Sequence, residues 1–232
     1  MGKNKGKHYI YFTKIIMNLS IPYKNKTIEA VLDCTSTKKC DVRKKVWVVL
    51  THGAGGDLKT PQLSAIASFL TAEGLAVLRF TCKGLNIKYR INVFNEVLVY
   101  LKKEYHLKRV FIGGRSMGAR AAVMLASDIE IVDLNILGII CLSYPLHKIR
   151  NYKELRDEPL KKSKLPIFFL SGTKDEMCEK DIFEKILLAM KSPFKIYWLN
   201  GCNHSAKPLE NYQEEMYHAA FKEISNWCLS LY

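Results

Sequence analysis

The chain has 232 residues, of which 48% are hydrophobic and 25% are charged, and it carries a formal net charge of +14 at pH 7. A chain of this length can form one substantial hydrophobic core but is short for two. No apolar run reaches the ~18 residues that a transmembrane helix requires, so we predict no membrane-spanning segment. Residues 1–20 contain lysines but no uninterrupted apolar stretch, so we do not expect a secretory signal.

The positive charge is concentrated near the N-terminus. Residues 1–45 contain 11 Lys and Arg against 3 Asp and Glu, whereas residues 46–232 contain 25 against 19. This excess fits a solvated tail and a lysine-rich loop, or contact with nucleic acid, an acidic chromatin-related protein or anionic lipid. The sequence has neither a helix-turn-helix signature nor an aromatic-interleaved RNA-binding pattern, so it does not favour a nucleic-acid partner.

The cysteines are scattered and odd in number. They are Cys34, Cys40, Cys82, Cys141, Cys178, Cys202 and Cys228. No CxxC pair is present, so we predict neither a zinc site nor a redox pair, and no cofactor. We therefore expect reduced thiols in a cytoplasmic or nuclear protein.

Two strands open the ordered part of the sequence. We assign residues 1–14 to a basic tail, and we predict strands at residues 15–22 and 27–34, joined by the turn-prone YKNK. The next strand, VWVVLT at residues 46–51, is a continuous apolar run, which is typical of a strand buried on both faces. Thr60 and Pro61 then begin a helix, because threonine is a good N-cap and proline fits the first turn.

Strands and helices alternate from there to the end. The later strands are predicted at residues 75–82, 109–114, 136–145, 166–172 and 194–201, and the later helices at residues 93–105, 117–127, 180–191 and 212–232. This alternation predicts an α/β fold with a mostly parallel, doubly wound sheet and an antiparallel N-terminal hairpin, in a single domain from residue 15 to residue 232. Only about twenty residues separate SYPL from Pro166, so we predict no cap domain there.

Small and polar residues follow the predicted strands. In sheets of this kind the functional groups lie just beyond the carboxyl ends of the strands. The segments at that edge are HGAGGD (52–57), TCKGLN (81–86), GGRSMG (113–118), SYPLH (143–147), SGTKDE (171–176) and NGCNHS (200–205).

The segment from Gly114 to Gly118 reads G-x-S-x-G, with Ser116 at its centre. Glycines at these positions let a strand and a helix pass closely, while the serine adopts a strained conformation that exposes its hydroxyl. The pattern alone is weak, but here it follows a predicted strand and begins a predicted helix. We therefore predict that Ser116 is a nucleophile.

A serine nucleophile needs a base, and the base needs a carboxylate. Asp175 follows the strand at residues 166–172, and His204 follows the last strand. The order Ser116, Asp175, His204 is the order found in α/β-hydrolases. Asp157 is the alternative acid, because some hydrolases supply it from the loop after the preceding strand.

Two backbone N–H groups are candidates for an oxyanion hole, which must stabilise the developing negative charge. They belong to Met117, at the start of a helix, and to Ala54, in the loop HGAGGD. Gly53 and Gly55 would let this loop turn its N–H groups inward. The loop lacks the lysine of a P-loop and the G-x-G-x-x-G of a dinucleotide site, so phosphate binding is not favoured.

Further residues near this edge are candidates for a substrate pocket. They are His52, Gly53, Gly55, Arg115 and His147. Arg115 either packs beneath the serine turn or reaches the substrate. His147 comes before Asp175 in the chain, which breaks the expected order for a catalytic base.

Several of these segments together resemble a known family. LTHGAGGD, LRFTCKGLNI, GGRSMGARAA, SYPLH with LRDEPL, and SGTKDEMCEK resemble α/β-hydrolases of the dienelactone-hydrolase-like type, from about residue 15 onward. More narrowly, they are similar to the family of testis-expressed protein 30 and to the hydrolase-like domain of subunit three of the non-specific-lethal histone acetyltransferase complex. The resemblance implies a hydrolase fold, and for the complex subunit it implies a role as a protein partner.

Two functional hypotheses follow. The first is a serine hydrolase that acts on a small ester, thioester or amide through an acyl-enzyme. The second is a hydrolase-fold scaffold with slow or no catalysis, which binds acidic or chromatin-related proteins. The ordered Ser116, Asp175 and His204 favour the first hypothesis, and the uneven charge favours the second.

Overall fold

An eight-stranded sheet forms the centre of the protein. The computed structural model describes residues 13–36, 39–127, 134–207 and 214–232. Most of the predicted basic tail lies outside these ranges. The strands are β1 (Thr13–Tyr23), β2 (Lys26–Ser36), β3 (Trp47–Thr51), β4 (Ala76–Phe80), β5 (Arg109–Arg115), β6 (Asn135–Leu142), β7 (Ile167–Gly172) and β8 (Phe194–Leu199).

The strand order is β1-β2-β4-β3-β5-β6-β7-β8. Strand β2 pairs antiparallel with both β1 and β4, and every later pair is parallel. The predicted mostly parallel sheet with an antiparallel N-terminal hairpin is therefore confirmed. The carboxyl ends of β3 to β8 consequently lie along one edge of the sheet.

Helices cover both faces of the sheet. They are α1 (Pro61–Ala72), α2 (Ile87–Tyr105), α3 (Met117–Ser127), α4 (Glu158–Lys162), α5 (Lys180–Leu188) and α6 (Glu214–Leu229), and a short 3-10 helix spans Lys39–Lys44. Buried residues of α1 and α6 belong to one core, and those of α2, α3 and α5 to the other. Strand β3 contributes to both cores, since Val48 faces the core under α1 and α6, and Val49 faces the core under α2, α3 and α5. This explains its continuous apolar sequence.

Helix α2 begins earlier than we predicted. The apolar spacing predicted a start at residue 93, but the helix begins at Ile87, where the Asn86 side chain accepts a hydrogen bond of 3.0 Å from the Tyr89 N–H. Asparagine is a preferred N-cap residue because its side chain satisfies an otherwise free N–H group. The additional turns place Arg90 inside the helix.

The connection between β6 and β7 is short. Strand β6 ends at Leu142 instead of residue 145, and the next residue, Ser143, has a φ of +50° that breaks the extended backbone. Residues 143–166 contain only α4 and one bridge between Lys148 and Asn151. This segment therefore forms no separate cap over the edge of the sheet.

Two further predictions concern the membrane and the thiols. In the described part of the chain, no helix combines the length and the hydrophobicity needed to span a bilayer. Six cysteines in the same part are buried free thiols: Cys34, Cys82, Cys141, Cys178, Cys202 and Cys228.

Candidate active site

The turn from β5 to α3 holds Ser116 in a strained conformation. Its φ is +52°, a left-handed value that costs a non-glycine residue roughly 1–2 kcal/mol. Gly114 and Gly118 make the turn possible, because a Cβ at either position would collide with the carbonyl oxygen of Thr51. The sharp turn fits the prediction from G-x-S-x-G and leaves the Ser116 side chain at the carboxyl edge of the sheet.

Three side chains from three loops form a continuous chain of hydrogen bonds. Ser116 Oγ lies 2.8 Å from His204 Nε2, and His204 Nδ1 lies 2.9 Å from both carboxylate oxygens of Asp175. With the His204 proton on Nδ1, the ring donates to Asp175 and its Nε2 is free to accept the Ser116 hydroxyl proton. The Asp175 side chain is fully buried and that of His204 is 12% exposed, so little water competes for these bonds.

Backbone contacts fix the two loops that carry Asp175 and His204. Asp175 Oδ1 also accepts the Met177 N–H at 2.8 Å, and Glu176 Oε2 accepts the His204 N–H at 3.1 Å. Burial opposes ionisation of Glu176, but the N–H groups of Glu176 and His204, together with the charge of Arg115, leave its pKa lowered. The charged carboxylate therefore stabilises the position of the His204 backbone.

The structure distinguishes between the two candidate acids. Asp157 lies at the start of α4, where its carboxylate pairs with Lys161 Nζ at 2.6 Å. Asp175, not Asp157, contacts the His204 ring.

The loop after β3 forms a tight turn beside Ser116. The Gly56 N–H donates to the Gly53 carbonyl at 3.5 Å, and Gly55, the third residue of the turn, has a φ of +70°. Ala54 is the second residue and is exposed, as is Gly55. Gly53 is buried, and a Cβ placed on it would lie 3.2 Å from Ser116 Cβ. The peptide that links Gly53 to Ala54 is therefore next to the serine.

Met117 is the first residue of α3. The first N–H groups of a helix have no acceptor within the helix and carry its partial positive charge. The Met117 N–H is therefore available to a negatively charged atom bound next to Ser116.

His52 fixes the loop after β3. Its Nε2 accepts the Cys82 N–H at 2.9 Å, so the proton is on Nδ1, which donates to the Gly53 carbonyl at 2.6 Å. The side chain is buried, and burial lowers the pKa of its imidazolium. Both ring nitrogens are occupied, so we exclude His52 from the substrate pocket.

His147 is also a structural residue. It is fully buried, its Nε2 accepts the Glu179 N–H at 3.0 Å, and its Nδ1 donates to the Lys148 carbonyl at 2.9 Å. The ring joins the loop after β6 to the start of α5. We therefore leave His147 out of the pocket, contrary to our expectation from the sequence.

Arg115 both supports the turn and borders a pocket. Its Nη2 donates to the His204 carbonyl at 2.9 Å, and a Cβ on Gly53 would lie 3.1 Å from its Nη1. Burial lowers the pKa of this guanidinium, which Asp175 and Glu176 partly oppose. The pocket has a volume of about 460 Å³ and is lined by Thr60, Pro61, Gln62, Ala65, Arg115, Ser205, Lys207, Tyr217 and Phe221.

Arg90, which no sequence pattern singled out, contacts the loop after β3. Its Nη1 donates to the His52 carbonyl at 2.7 Å and its Nη2 to the Gly53 carbonyl at 3.2 Å. The apolar periodicity of α2 gave no signal for this residue. An arginine on a buried helix face would have been the only indication.

Within the described residues, no cluster of three His, Cys, Asp or Glu side chains is arranged to hold a metal ion. The polar groups at the edge of the sheet are instead a hydroxyl, an imidazole, a carboxylate and backbone N–H groups. This set can transfer protons and stabilise an oxyanion without further groups.

Solved structures with the same fold are numerous. Dienelactone hydrolase from Anabaena variabilis is 16% identical, with a TM-score of 0.74 over 94% of this chain and 98% of that one. Est1E from Butyrivibrio proteoclasticus is 16% identical, with a TM-score of 0.73 over 92% and 98%. A serine hydrolase without a lid from Xanthomonas campestris is 12% identical, with a TM-score of 0.66 over 94% of each chain. At these identities the comparison shows the fold alone.

The sheet order and the serine turn between β5 and α3 define a protein of the hydrolase-fold class. The family model described as an alpha/beta hydrolase domain matches residues 44–229 of the chain. The chain therefore belongs to the alpha/beta hydrolase family.

Proposed function

We propose that the protein is a serine hydrolase that cleaves a small ester, thioester or amide through an acyl-enzyme. The observation that carries this proposal is the hydrogen-bond chain from Ser116 through His204 to Asp175. The strained φ of Ser116 is a second support, because such strain is kept where the surrounding structure requires it and clusters at active sites.

In this mechanism Ser116 Oγ attacks the substrate carbonyl carbon while His204 Nε2 takes the hydroxyl proton. Asp175 stabilises the resulting imidazolium and keeps the ring oriented. The carbonyl oxygen becomes negatively charged and is stabilised by the N–H groups of Met117 and Ala54. His204 then returns the proton to the leaving group. A water molecule, activated by the same histidine, finally releases the acid.

The surroundings of the site favour small substrates. Residues 143–166 form no cap, so a long chain would not be enclosed over Ser116. The pocket beside Arg115, at about 460 Å³, suits a small organic group.

A fluorophosphonate probe tests the proposal, because it reacts with a serine only when a neighbouring base activates it. The native protein should be labelled, and mass spectrometry of the digest should locate the label on Ser116. Heat-denatured protein should not react. Native, folded protein that resists the probe would favour the scaffold hypothesis.

The uneven charge supports an alternative function as a scaffold for acidic or chromatin-related partners, which is the kind of role that the resemblance to the subunit of the non-specific-lethal complex implies. Residues 1–45 hold a net charge of +8 out of +14. Deleting residues 2–8 removes Lys3, Lys5 and Lys7 but no residue of the proposed site. Turnover of a small ester should therefore stay nearly unchanged. Binding to a polyglutamate peptide should weaken, with a salt dependence typical of charge neutralisation.

Ester turnover and polyglutamate binding are measured on full-length and truncated protein, at low and at moderate salt. Loss of turnover together with binding would mean that the N-terminal segment is part of the active site. If neither changes, the segment contributes only solubility.

A cytoplasmic or nuclear location is part of the same proposal and can be tested by fractionating cells that express the tagged protein.

A further inference from the structure

Arg90 is a buried cation whose guanidinium is bound by backbone carbonyls. The residue is 1% exposed, and its guanidinium donates to three backbone carbonyls: His52 and Gly53 in the loop after β3, and Gly84 in the loop after β4. The distances are 2.7, 3.2 and 2.8 Å, respectively. Arg90 therefore joins two loops at the edge of the sheet.

The arrangement differs from that of the other buried arginine near this loop, Arg79. Arg79 pairs with the Asp33 carboxylate at 2.8 Å and donates to the Leu58 carbonyl at 2.9 Å. Among the residues that the structure describes, no carboxylate pairs with Arg90. Burial lowers its pKa, and the adjacent Cys82 thiol has a pKa raised to about 11 by burial, so it is neutral at pH 7.

A buried cation is costly unless it is paired or fully hydrogen-bonded. Within the part of the chain that the structure describes, three backbone carbonyls compensate the charge of Arg90. The Gly53 carbonyl also accepts a hydrogen bond from His52 Nδ1. The Gly53 carbonyl thus accepts two hydrogen bonds from buried side chains, which fixes the plane of the peptide between Gly53 and Ala54.

The geometry of a trans peptide links this carbonyl to the next N–H. The C=O of Gly53 and the N–H of Ala54 belong to one planar unit and point in opposite directions. The carbonyl faces the buried Arg90, so the N–H faces the open side, where Ala54 is exposed and Ser116 is adjacent. A carbonyl bonded to a cation also polarises its peptide, which makes the N–H a stronger donor.

We infer that Arg90 is a positioning residue for the oxyanion hole: it holds and polarises the Gly53–Ala54 peptide so that the Ala54 N–H is directed at the substrate oxygen. The inference rests on the proposed serine hydrolase function. Lysine could not replace Arg90 in this role, because one ammonium group cannot reach three carbonyls in the geometry of the planar guanidinium. The effect on the reaction passes through the peptide, without contact between Arg90 and substrate.

The test compares Arg90→Lys with the matched control Arg79→Lys in the full chain. Both variants lose a buried guanidinium that contacts the loop after β3, but only Arg90 contacts the peptide beside Ser116. With 4-nitrophenyl acetate, Arg90→Lys should lower kcat about 10- to 100-fold, somewhat less than the loss of one oxyanion donor, and leave KM nearly unchanged. The affinity for a trifluoromethyl ketone, which forms a tetrahedral adduct with the serine, should fall by a similar factor. Arg79→Lys should lower the melting temperature and leave kcat unchanged.

Ala54→Pro provides a second variant if Arg90→Lys does not fold. Proline replaces the N–H with a ring methylene, and the second position of a turn followed by a glycine with positive φ accepts it well. Ala54→Pro should reduce kcat and adduct affinity at least as much as Arg90→Lys. The double variant should be no slower than Ala54→Pro alone, because both changes remove the same interaction.

The outcomes separate this inference from the proposed function. Wild-type protein that neither hydrolyses the ester nor reacts with a fluorophosphonate would overturn the serine hydrolase and the inference with it. Active wild type with an unchanged kcat in folded Arg90→Lys or in Ala54→Pro would overturn the inference alone. Equal losses in Arg90→Lys and Arg79→Lys, or a lower kcat with unchanged adduct affinity, would also overturn it.

Discussion

Replacing Ser116 with alanine should abolish labelling by a fluorophosphonate and lower ester turnover by about 10⁶-fold, as expected when a serine nucleophile is lost. Alanine removes only the hydroxyl that lies 2.8 Å from His204 Nε2. Serine and alanine meet the same backbone strain at a φ of +52°, so the variant should fold like the wild type. Turnover of 4-nitrophenyl acetate reports the loss of catalysis, and the melting temperature reports whether the variant is still folded.

Ser143 provides a matched control for this experiment. It also follows the end of a parallel strand, has a φ of +50° and is buried, but its hydroxyl has no hydrogen-bond partner in the described part of the chain. Ser143→Ala should therefore remain labelled and active. Labelling of Ser116→Ala, or its loss in folded Ser143→Ala, would mean that Ser116 is not the nucleophile.

The second large effect is expected for Asp175→Asn. The amide has nearly the shape of the carboxylate but can no longer accept the Nδ1 proton at both oxygens, so the ring loses its correct tautomer and its charge stabilisation. We expect kcat to fall by about 10⁴-fold, as seen when the carboxylate of such a triad is replaced. KM should change little, because Asp175 is fully buried behind His204 and does not reach the substrate.

Asp157→Asn is the control for this prediction. It removes an ion pair with Lys161 that is partly exposed to solvent, and such pairs contribute little to stability. Its kcat should be close to that of the wild type. The opposite pattern, with a slow Asp157→Asn and a fast Asp175→Asn, would place the catalytic acid in the loop after β6.

Much of this architecture could be predicted from the sequence because the signals are local. The alternation of apolar strands and amphipathic helices predicts the parallel sheet, and parallel strands place their carboxyl ends along one edge. The glycines around Ser116 predict the sharp turn, since a side chain there would collide with β3. The positions of Asp175 and His204 after β7 and β8 follow from the same reasoning.

Other features depend on contacts between residues that are distant in the chain. The sequence left both Asp157 and Asp175 as candidates for the acid beside His204, because it does not give the positions of their loops. The structure brings Asp175 to the ring. His52 and His147 looked like pocket residues because they lie at the correct edge. Only the folded chain shows that backbone groups occupy all four of their ring nitrogens.

Arg90 is the clearest example of this limit. The sequence by itself determined the loop HGAGGD, the serine turn and the helix from residue 93 onward, because these depend on hydrophobic period and on local backbone sterics. It did not predict the first turns of α2, which carry Arg90. It could not show that Arg90 contacts His52 and Gly53, which lie 38 and 37 residues earlier in the chain. That contact depends on how α2 packs against the sheet. The tertiary structure alone therefore decided which peptide is fixed beside Ser116.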